Sequence, residues 1–491
     1  MGIVFRQSLS NTVITYLGFG IGAVNTLFLY TRFMTAEYYG LVGVILSTSA
    51  ILMPLLAFGV PNTMVKYYSA FTDRRSTSGF LSLMLLLPLA IMIPIGLLSY
   101  FANEAIGLFL ARKNAIVGDY VWHIFSIGLG MAYFEVFYSW SKVQLKSVFG
   151  NFMKEVFVRV GVSLLLLGLY LQLISVAVFI NALVALYLLR MFLMMFYAFR
   201  LRPPEFAIRW PSNTRDILYY SFLIIFGASA SVLLLELDRF MINQFIEIEH
   251  VAYYSVAVFI ATVIAVPLRS MHQVTYPLTA EIMNRQDLTA LKRLYQRSSL
   301  TLFILSGLIF LLILLNMEDL YLLLPPAYRG GTLVVFFIGL VRVYDALLGI
   351  NSAILYNSEY YREVLVMGFI LALLIVLFNL WLIPLLGMNG AALASLLAIG
   401  IYDSIKLFYV WKKFGIHPFS ANSGKVAFLL LSTGTFFFLL PLPFAPLWNI
   451  AIKSILLVAV YLGVIYRFRL SDDIHDLLSK LIKQAGGPGH P

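Results

Sequence analysis

The stretch that decides the fold runs from Asn11 to Lys66: NTVITYLGFGIGAVNTLFLY, then TRFMTAEYYG, then LVGVILSTSAILMPLLAFGV, then PNTMVK. Two apolar runs of about 20 residues flank a short polar link, and a helix of that length crosses ~30 Å of hydrocarbon. Membrane strands would instead alternate polar and apolar residues over about 10 positions. The second run carries Pro54 before the chain re-enters water at Pro61 to Lys66. The same design recurs: an apolar run to Leu237, Asp238-Arg-Phe-Met241, Ala252-Tyr-Tyr-Ser255, then a run broken at Pro267 near Arg269. Arg32-Phe-Met pairs with Arg239-Phe-Met, Tyr38-Tyr-Gly with Tyr253-Tyr-Ser, and Pro54 with Pro267. The matched residues are common ones, so a chance likeness between apolar hairpins is the alternative. As a true repeat it predicts two similar halves with a site between them.

Of 491 residues, 61% are hydrophobic and only 12% charged, with a mean hydropathy of +0.91. Soluble domains carry roughly 25% charged residues, so this composition belongs to an integral membrane protein. Its spans are helices, because only helices satisfy their backbone groups within each segment. The absence of cysteine excludes disulfides, thiolate metal sites and cysteine nucleophiles. Met1-Gly-Ile-Val-Phe-Arg6 lacks the Ser or Thr of a myristoylation signal, and no small-residue cleavage site follows the first run, which is expected to stay as a span. The net charge of +11 would suggest nucleic acid in a soluble protein, but in a membrane protein it reflects basic cytoplasmic loops.

Apolar runs bounded by charges or turns number about fourteen: 10–30, 40–60, 80–100, 120–140, 156–173, 175–197, 218–237, 251–267, 300–316, 333–355, 364–383, 390–410, 426–440 and 450–466. Alternate connections share a side. One side collects Arg6, Lys66, Arg74, Arg75, the 142–159 and 200–215 clusters with Arg209, the 269–297 cluster, Arg362, the 412–425 cluster and the tail cations from Arg467 to Lys483. The other holds Arg32, Arg112, Lys113, Arg239 and Arg329. The basic side is the cytoplasmic one, so both termini are predicted cytoplasmic. Two further pieces read as amphipathic helices. Asp287 to Tyr295 aligns Leu288, Leu291, Leu294 and Tyr295 as an interfacial helix would. After a Ser471 N-cap, Ile474, Leu477, Leu478, Leu481 and Ile482 form a stripe that suits the inner leaflet, and Gly486 to Pro491 is expected to be a disordered end.

No catalytic constellation appears. The six histidines have no metal-ligand spacing, and no Gly-rich loop precedes a Lys, so neither a metal nor another cofactor is expected. The informative positions are charges inside spans, since a lone Arg or Asp at mid-bilayer costs ~2.5–3.5 kcal/mol. Arg342 and Asp345 sit three apart in the tenth span, and Asp403 and Lys406 repeat the spacing in the twelfth, where snorkelling toward the cytoplasmic end favours a structural role. Glu135, Arg159 and Arg190 lie a turn or two inside a boundary, and Lys453 can snorkel outward from the last span. Arg32, Lys66, Arg239 and Arg269 frame the repeated hairpins, as a positive lumen open to both faces needs. For Lys66 and Arg269 an ordinary positive-inside role fits equally.

The Asn11 to Lys66 hairpin with its Arg32-Phe-Met-Thr-Ala-Glu-Tyr-Tyr-Gly-Leu41 link resembles the polysaccharide (O-antigen type) flippases of the multidrug/oligosaccharidyl-lipid/polysaccharide (MOP) exporter superfamily. Ile383-Pro-Leu-Leu-Gly-Met-Asn-Gly-Ala-Ala-Leu393 looks like the turn before that family's twelfth helix, and Leu323-Leu-Pro-Pro-Ala-Tyr-Arg329 like its loop before the tenth. The resemblance implies an all-α fold of two six-helix bundles in pseudo-symmetric halves plus two C-terminal helices, divided 1–200, 201–415, 416–468 and a 469–491 cytoplasmic tail. It implies no enzyme but a bacterial inner-membrane flippase that moves a polyprenyl-diphosphate-linked oligosaccharide by alternating access, with membrane lipids and glycan-assembly proteins as partners. On matching positions its cationic cavity draws on Arg32, Arg239 and Arg342, with Lys66 and Arg269 at the inner mouth. Asp345 and Glu135 are the candidates if an ion is coupled. The alternatives are a MATE-type drug exporter, which calls for acidic residues absent from the first span, and a glycan polymerase or ligase, which calls for a larger outer loop than 101–119.

Overall fold

The computed structural model describes residues 3–71, 73–205, 211–440 and 442–485, without the side chains of 226–235. Arg209 and the Gly486 to Pro491 tail lie outside the described residues, as do the side chains of Arg6, Arg362, Leu481, Ile482 and Lys483. Among the described residues there is no strand, and every apolar run named above is helical. In chain order the principal helices are α1 (Ile3–Val24), α2 (Ala36–Ala57), α3 (Arg74–Phe101), α4 (Val121–Val143), α5 (Val158–Tyr170), α6 (Val176–Leu201) and α7 (Thr214–Phe245). They continue with α8 (Glu249–Thr262), α9 (Leu288–Leu314), α10 (Thr332–Leu348), α11 (Tyr361–Leu386), α12 (Met388–Phe414), α13 (Ala421–Phe438), α14 (Pro446–Arg467) and α15 (Asp472–Ala485). Ten helical stretches among the described residues are long and apolar enough to cross a membrane. The molecule is an all-helical, multi-pass membrane protein.

The runs break where backbone chemistry demands it. α1 reaches its polar link through a π-turn, Asn25–Leu29, and α5 is preceded by another, Met153–Phe157. The Asn25 side chain ties the first turn to α5, its amide donating to the Arg159 carbonyl at 2.8 Å while its oxygen accepts from Ser163 at 2.6 Å. The eighth span does not end at Pro267. A 3-10 turn, Val263–Ala265, leads into a second helix, Val266–Asn284, and Pro267 sits in its first turn, where a missing N–H is harmless. The predicted single tenth span is likewise split: Gly349, at φ +54°, separates α10 from a short helix, Asn351–Tyr356. A side chain there would meet the Ser299 backbone at 3.0 Å.

Asp287 to Tyr295 is no separate interfacial helix. It is the first part of α9, because no Gly or Pro interrupts it before Leu300, and the Asp287 carboxylate caps it by accepting from the Ala290 amide at 2.9 Å. Leu291 and Tyr295 are buried rather than lipid-facing.

The chain divides into two compact units, Met1–Ser255 with Gly368–Ala391, and Val256–Met367 with Ala392–Pro491. In the first unit α4 packs on α2 and α6, α2 packs on α7, and Leu56, Met64, Phe80, Phe134 and Trp140 fill the centre. The two repeated hairpins meet where Gly40 of the first lies against the Ile248 carbonyl of the second; a Cβ at Gly40 would stand 2.1 Å from that oxygen. Asn114, between the helix Asn103–Leu110 and the 3-10 turn Ala115–Tyr120, fastens the second link by donating to the carbonyls of Asn243 at 2.8 Å and Ile246 at 2.9 Å. In the second unit α9 packs on α10 and α13 around Ile304, Phe437 and Tyr461. α15 docks on that core through Ile474 and Leu478, and Arg297 of α9 pairs with its Asp473. Leu477, also on the expected stripe, stays exposed.

Gly40→Ala should lower stability by about 1–3 kcal/mol through overpacking, seen as an earlier thermal melt in detergent. Gly20→Ala, with nothing within 4 Å of the added carbon, should melt no earlier than wild type. A pH effect is expected at Glu205, which accepts from Arg74 and from the Ser78 hydroxyl at 2.9 Å and whose pKa is lowered from 4.5 to about 2. A depressed carboxylate stabilises fully above its ordinary pKa and loses that contribution as pH falls through the folded value. The melting difference between wild type and Glu205→Gln should therefore hold above about pH 5 and close toward pH 2, shrinking in salt because the pair is exposed.

Candidate functional site

The charged candidates of the first unit stand on separate segments, each with its own neighbours. Arg32 ends the short helix Tyr30–Phe33 and is exposed, its guanidinium 6.0 Å from the Phe28 ring. Lys66 ends the helix Val60–Tyr67, and its ammonium lies 3.7 Å over the ring of Tyr220. Arg239, half-buried on α7, is ion-paired to Glu236 one turn earlier at 2.8 Å. Glu135 on α4 pairs with Lys154 at 2.6 Å.

That last pair belongs to a built cavity. A hollow of about 190 Å³ is walled by Met53, Pro54, Ile224 and Ile225 and polar where Glu135, Lys142 and Lys154 meet. Pro54 and Gly59 open it. Pro54 breaks the hydrogen-bond ladder of α2 near its end, and Phe58 and Gly59 both take left-handed backbone to start the next helix. Two ammonium groups against one carboxylate leave a net positive polar end beside an apolar wall. Arg190, expected near a boundary, is buried and stacked 4.2 Å over Phe134 and 4.8 Å over Tyr187.

Residue-by-residue reading missed a second group in this unit. Asp238, fully buried, accepts from the Tyr254 hydroxyl at 2.5 Å and from the Asn379 amide at 2.9 Å. Both Asp238 and Tyr254 sit in the repeated motif. At the matching positions of the first repeat stand Thr31 and Tyr39, and Tyr39 stacks on Tyr30 with ring centroids 4.5 Å apart. The repeat thus carries one tyrosine in two roles, and the sequence reading matched the tyrosines without foreseeing their partners.

In the second unit Arg269 is exposed on the Val266–Asn284 helix, while Arg342 and Asp345 are half-buried on α10. Both lie within electrostatic reach of Asp403 on α12. Asp403 and Lys406 do not snorkel. They are 2% and 4% exposed and paired at 2.7 Å, with Lys406 also donating to Ser352 at 3.0 Å and lying 4.3 Å over the Tyr402 ring. The buried position follows from acceptors: a carboxylate one turn away and a hydroxyl on the neighbouring helix. Lys453, half-buried, donates to the Leu315 carbonyl at 3.1 Å, an acceptor just past the end of α9.

Breaking a buried pair leaves an uncompensated charge, which costs about 3–5 kcal/mol, whereas removing both partners is often near neutral. Lys406→Met should therefore melt well below wild type, and Asp403→Asn with Lys406→Met should recover most of the loss in the same thermal assay. A double variant as unstable as the single one would deny the pairing.

A family model described as "Polysaccharide biosynthesis protein" matches residues 4–283, more than half of the chain. No curated protein matches it. Among solved structures the chain is similar to "Lipid II flippase MurJ, inward closed conformation", with TM-score 0.75 and 14% identity over 94% of this chain and 99% of that one. It is also similar to an inward-facing multidrug resistance MATE family transporter of the MOP superfamily, with TM-score 0.60 and 14% identity over 84% of this chain and 98% of that one. A third, the MATE multidrug transporter DinF-BH in complex with R6G, gives TM-score 0.56 and 13% identity over 84% and 95%. At these identities the shared property is the all-helical fold alone.

Proposed function

The chain belongs to the polysaccharide biosynthesis protein family, and on that premise we propose that it flips a polyprenyl-diphosphate-linked oligosaccharide across a bacterial inner membrane by alternating access, both termini cytoplasmic. The observation that carries the reading is the first unit's cavity, apolar along Met53 and Ile224 and cationic at Lys142 and Lys154. Such a lining suits a cargo that joins hydrocarbon to phosphate: ammonium and guanidinium groups form charge-assisted bonds to phosphate oxygens, and water lets the sugars move without full desolvation. Arg32, Lys66, Arg239, Arg269 and Arg342 are the further cations assigned to the diphosphate. Arg239 would release Glu236 as the cargo arrives.

Of the two carboxylates assigned to ion coupling, Glu135 already holds Lys154. Asp345 forms no ion pair within 4.0 Å among the described residues, which makes it the first to test. An anion leaving a negative interior also moves with the field, at ~2.3 kcal/mol per charge per 100 mV, so the potential can bias export by itself. The similarity to multidrug exporters of this fold supports a second reading, drug export, but the lysines around this cavity disfavour cationic cargo.

The decisive experiment complements cells lacking this gene. Arg342→Glu should reduce surface glycan by at least about tenfold, as losing a charge-assisted contact to the cargo implies, while membrane levels of the protein stay normal and Arg342→Lys retains most export. Normal glycan with Arg342→Glu would remove Arg342 from the mechanism. Extracted bound lipid carrying no glycan would overturn the cargo.

A further inference from the structure

The second unit carries two adjoining hollows that the transport reading does not use. One is an apolar groove of about 680 Å³ between the Val266–Asn284 helix and the first turns of α9. Met271, Val274, Leu278 and Leu294 wall it, and Val274 is 69% exposed. Spacing of three and four residues places Met271, Val274 and Leu278 along one stripe of the Val266–Asn284 helix. The other hollow, about 200 Å³, is polar and lined by Arg293, Arg297 and Arg469 together with Ser420 and Asn422. The two share Arg293, Arg297 and Asp473. An apolar trough therefore opens at one end into a guanidinium pocket.

The balance of charge narrows the occupant. Asp472 and Asp473 also line the polar hollow, so three guanidinium groups face two carboxylates, a net charge of about +1 at neutral pH. Arg297 is taken by Asp473, whereas Arg293 and Arg469 have no ion pair among the described residues. Arg469 is held at the α14–α15 turn in left-handed backbone, at φ +47°. A phosphodiester of charge −1 would neutralise the pocket; a diphosphate would leave it negative. We propose that this unit binds one anionic phospholipid, its phosphate between Arg293 and Arg469 and an acyl chain along Val274 and Leu278. Bound there, the lipid joins α9 to the start of α15 and adds to the Arg297–Asp473 pair that docks the C-terminal helix. Basic pockets between helices on the positively charged side of membrane proteins recognise anionic headgroups in this way.

The test uses full-length protein in detergent, titrated with phosphatidylglycerol or with phosphatidylcholine of the same chains and read by native mass spectrometry. Wild type should retain one phosphatidylglycerol with at least about tenfold preference over phosphatidylcholine, the size expected of a charge-assisted contact. Arg293→Gln with Arg469→Gln should abolish the preference, and Leu278→Trp should weaken retention of both lipids. Inorganic phosphate at millimolar concentration should not displace the lipid, because it lacks the chain. Equal retention of the two lipids, a preference that survives the double substitution, or displacement by free phosphate would each overturn the proposal. If the double variant melts early in phosphatidylcholine nanodiscs, Arg293→Gln alone serves in its place. It should lose the extra thermal stability that phosphatidylglycerol nanodiscs confer on wild type, and keeping that increment would equally overturn the proposal.

Discussion

A charge placed among membrane helices has no water to screen it, and a lone one at mid-bilayer costs ~2.5–3.5 kcal/mol even on mild scales. Much of the arrangement within each unit answers to that constraint. Lys406 reaches Asp403 and Ser352, which ties α12 to the short helix Asn351–Tyr356. Glu135 reaches Lys154, which ties α4 to the π-turn before α5. Arg190 spreads its charge over the faces of Phe134 and Tyr187. The apolar cores supply most of the burial, but nonpolar contact alone does not select one partner helix over another in a solvent as oily as the side chains.

The same constraint shapes how an anion could be handled. A cation with a resident carboxylate, as Arg239 has in Glu236, keeps its charge compensated before cargo arrives. On the proposed reading, cargo would replace one partner by another instead of neutralising a bare charge. The exchange is close to balanced, because charge-assisted bonds broken and formed are each worth about 1.5–3 kcal/mol. A near-balanced exchange suits a carrier, which has to let go of what it binds.

Helix placement was legible because hydropathy and span length depend only on local sequence. The breaks were not: Gly349 reads like any glycine until the Ser299 backbone is beside it, and the π-turns at Asn25 and Met153 leave no compositional mark. Lys406 and Asp403 were legible as neighbours three apart; Glu236, equally three before Arg239, was passed over. The Glu135–Lys154 pair spans a turn and two helices and was invisible, as was the bracket that Asn114 throws across to Asn243 and Ile246. For Asp238 the signal lay in the repeat itself, one residue before the arginine.

Distance to water is not the whole of what decides where a lysine goes among membrane helices. Lys406, placed within snorkelling reach of water, is buried, and Lys453, half-buried, holds a backbone carbonyl. What they share is a nearby acceptor with an unmet bond: the Asp403 carboxylate for one, the Leu315 carbonyl past the last turn of α9 for the other. The final carbonyls of any helix lack an intrahelical donor and carry the negative end of its dipole, so an ammonium at that level satisfies two demands at once. Snorkelling gains hydration but leaves the acceptor unpaired in hydrocarbon, and an unpaired buried acceptor costs about 1–3 kcal/mol. Orphan acceptors within reach of its stem therefore bear on where a lysine goes in such a protein, beside the distance to water.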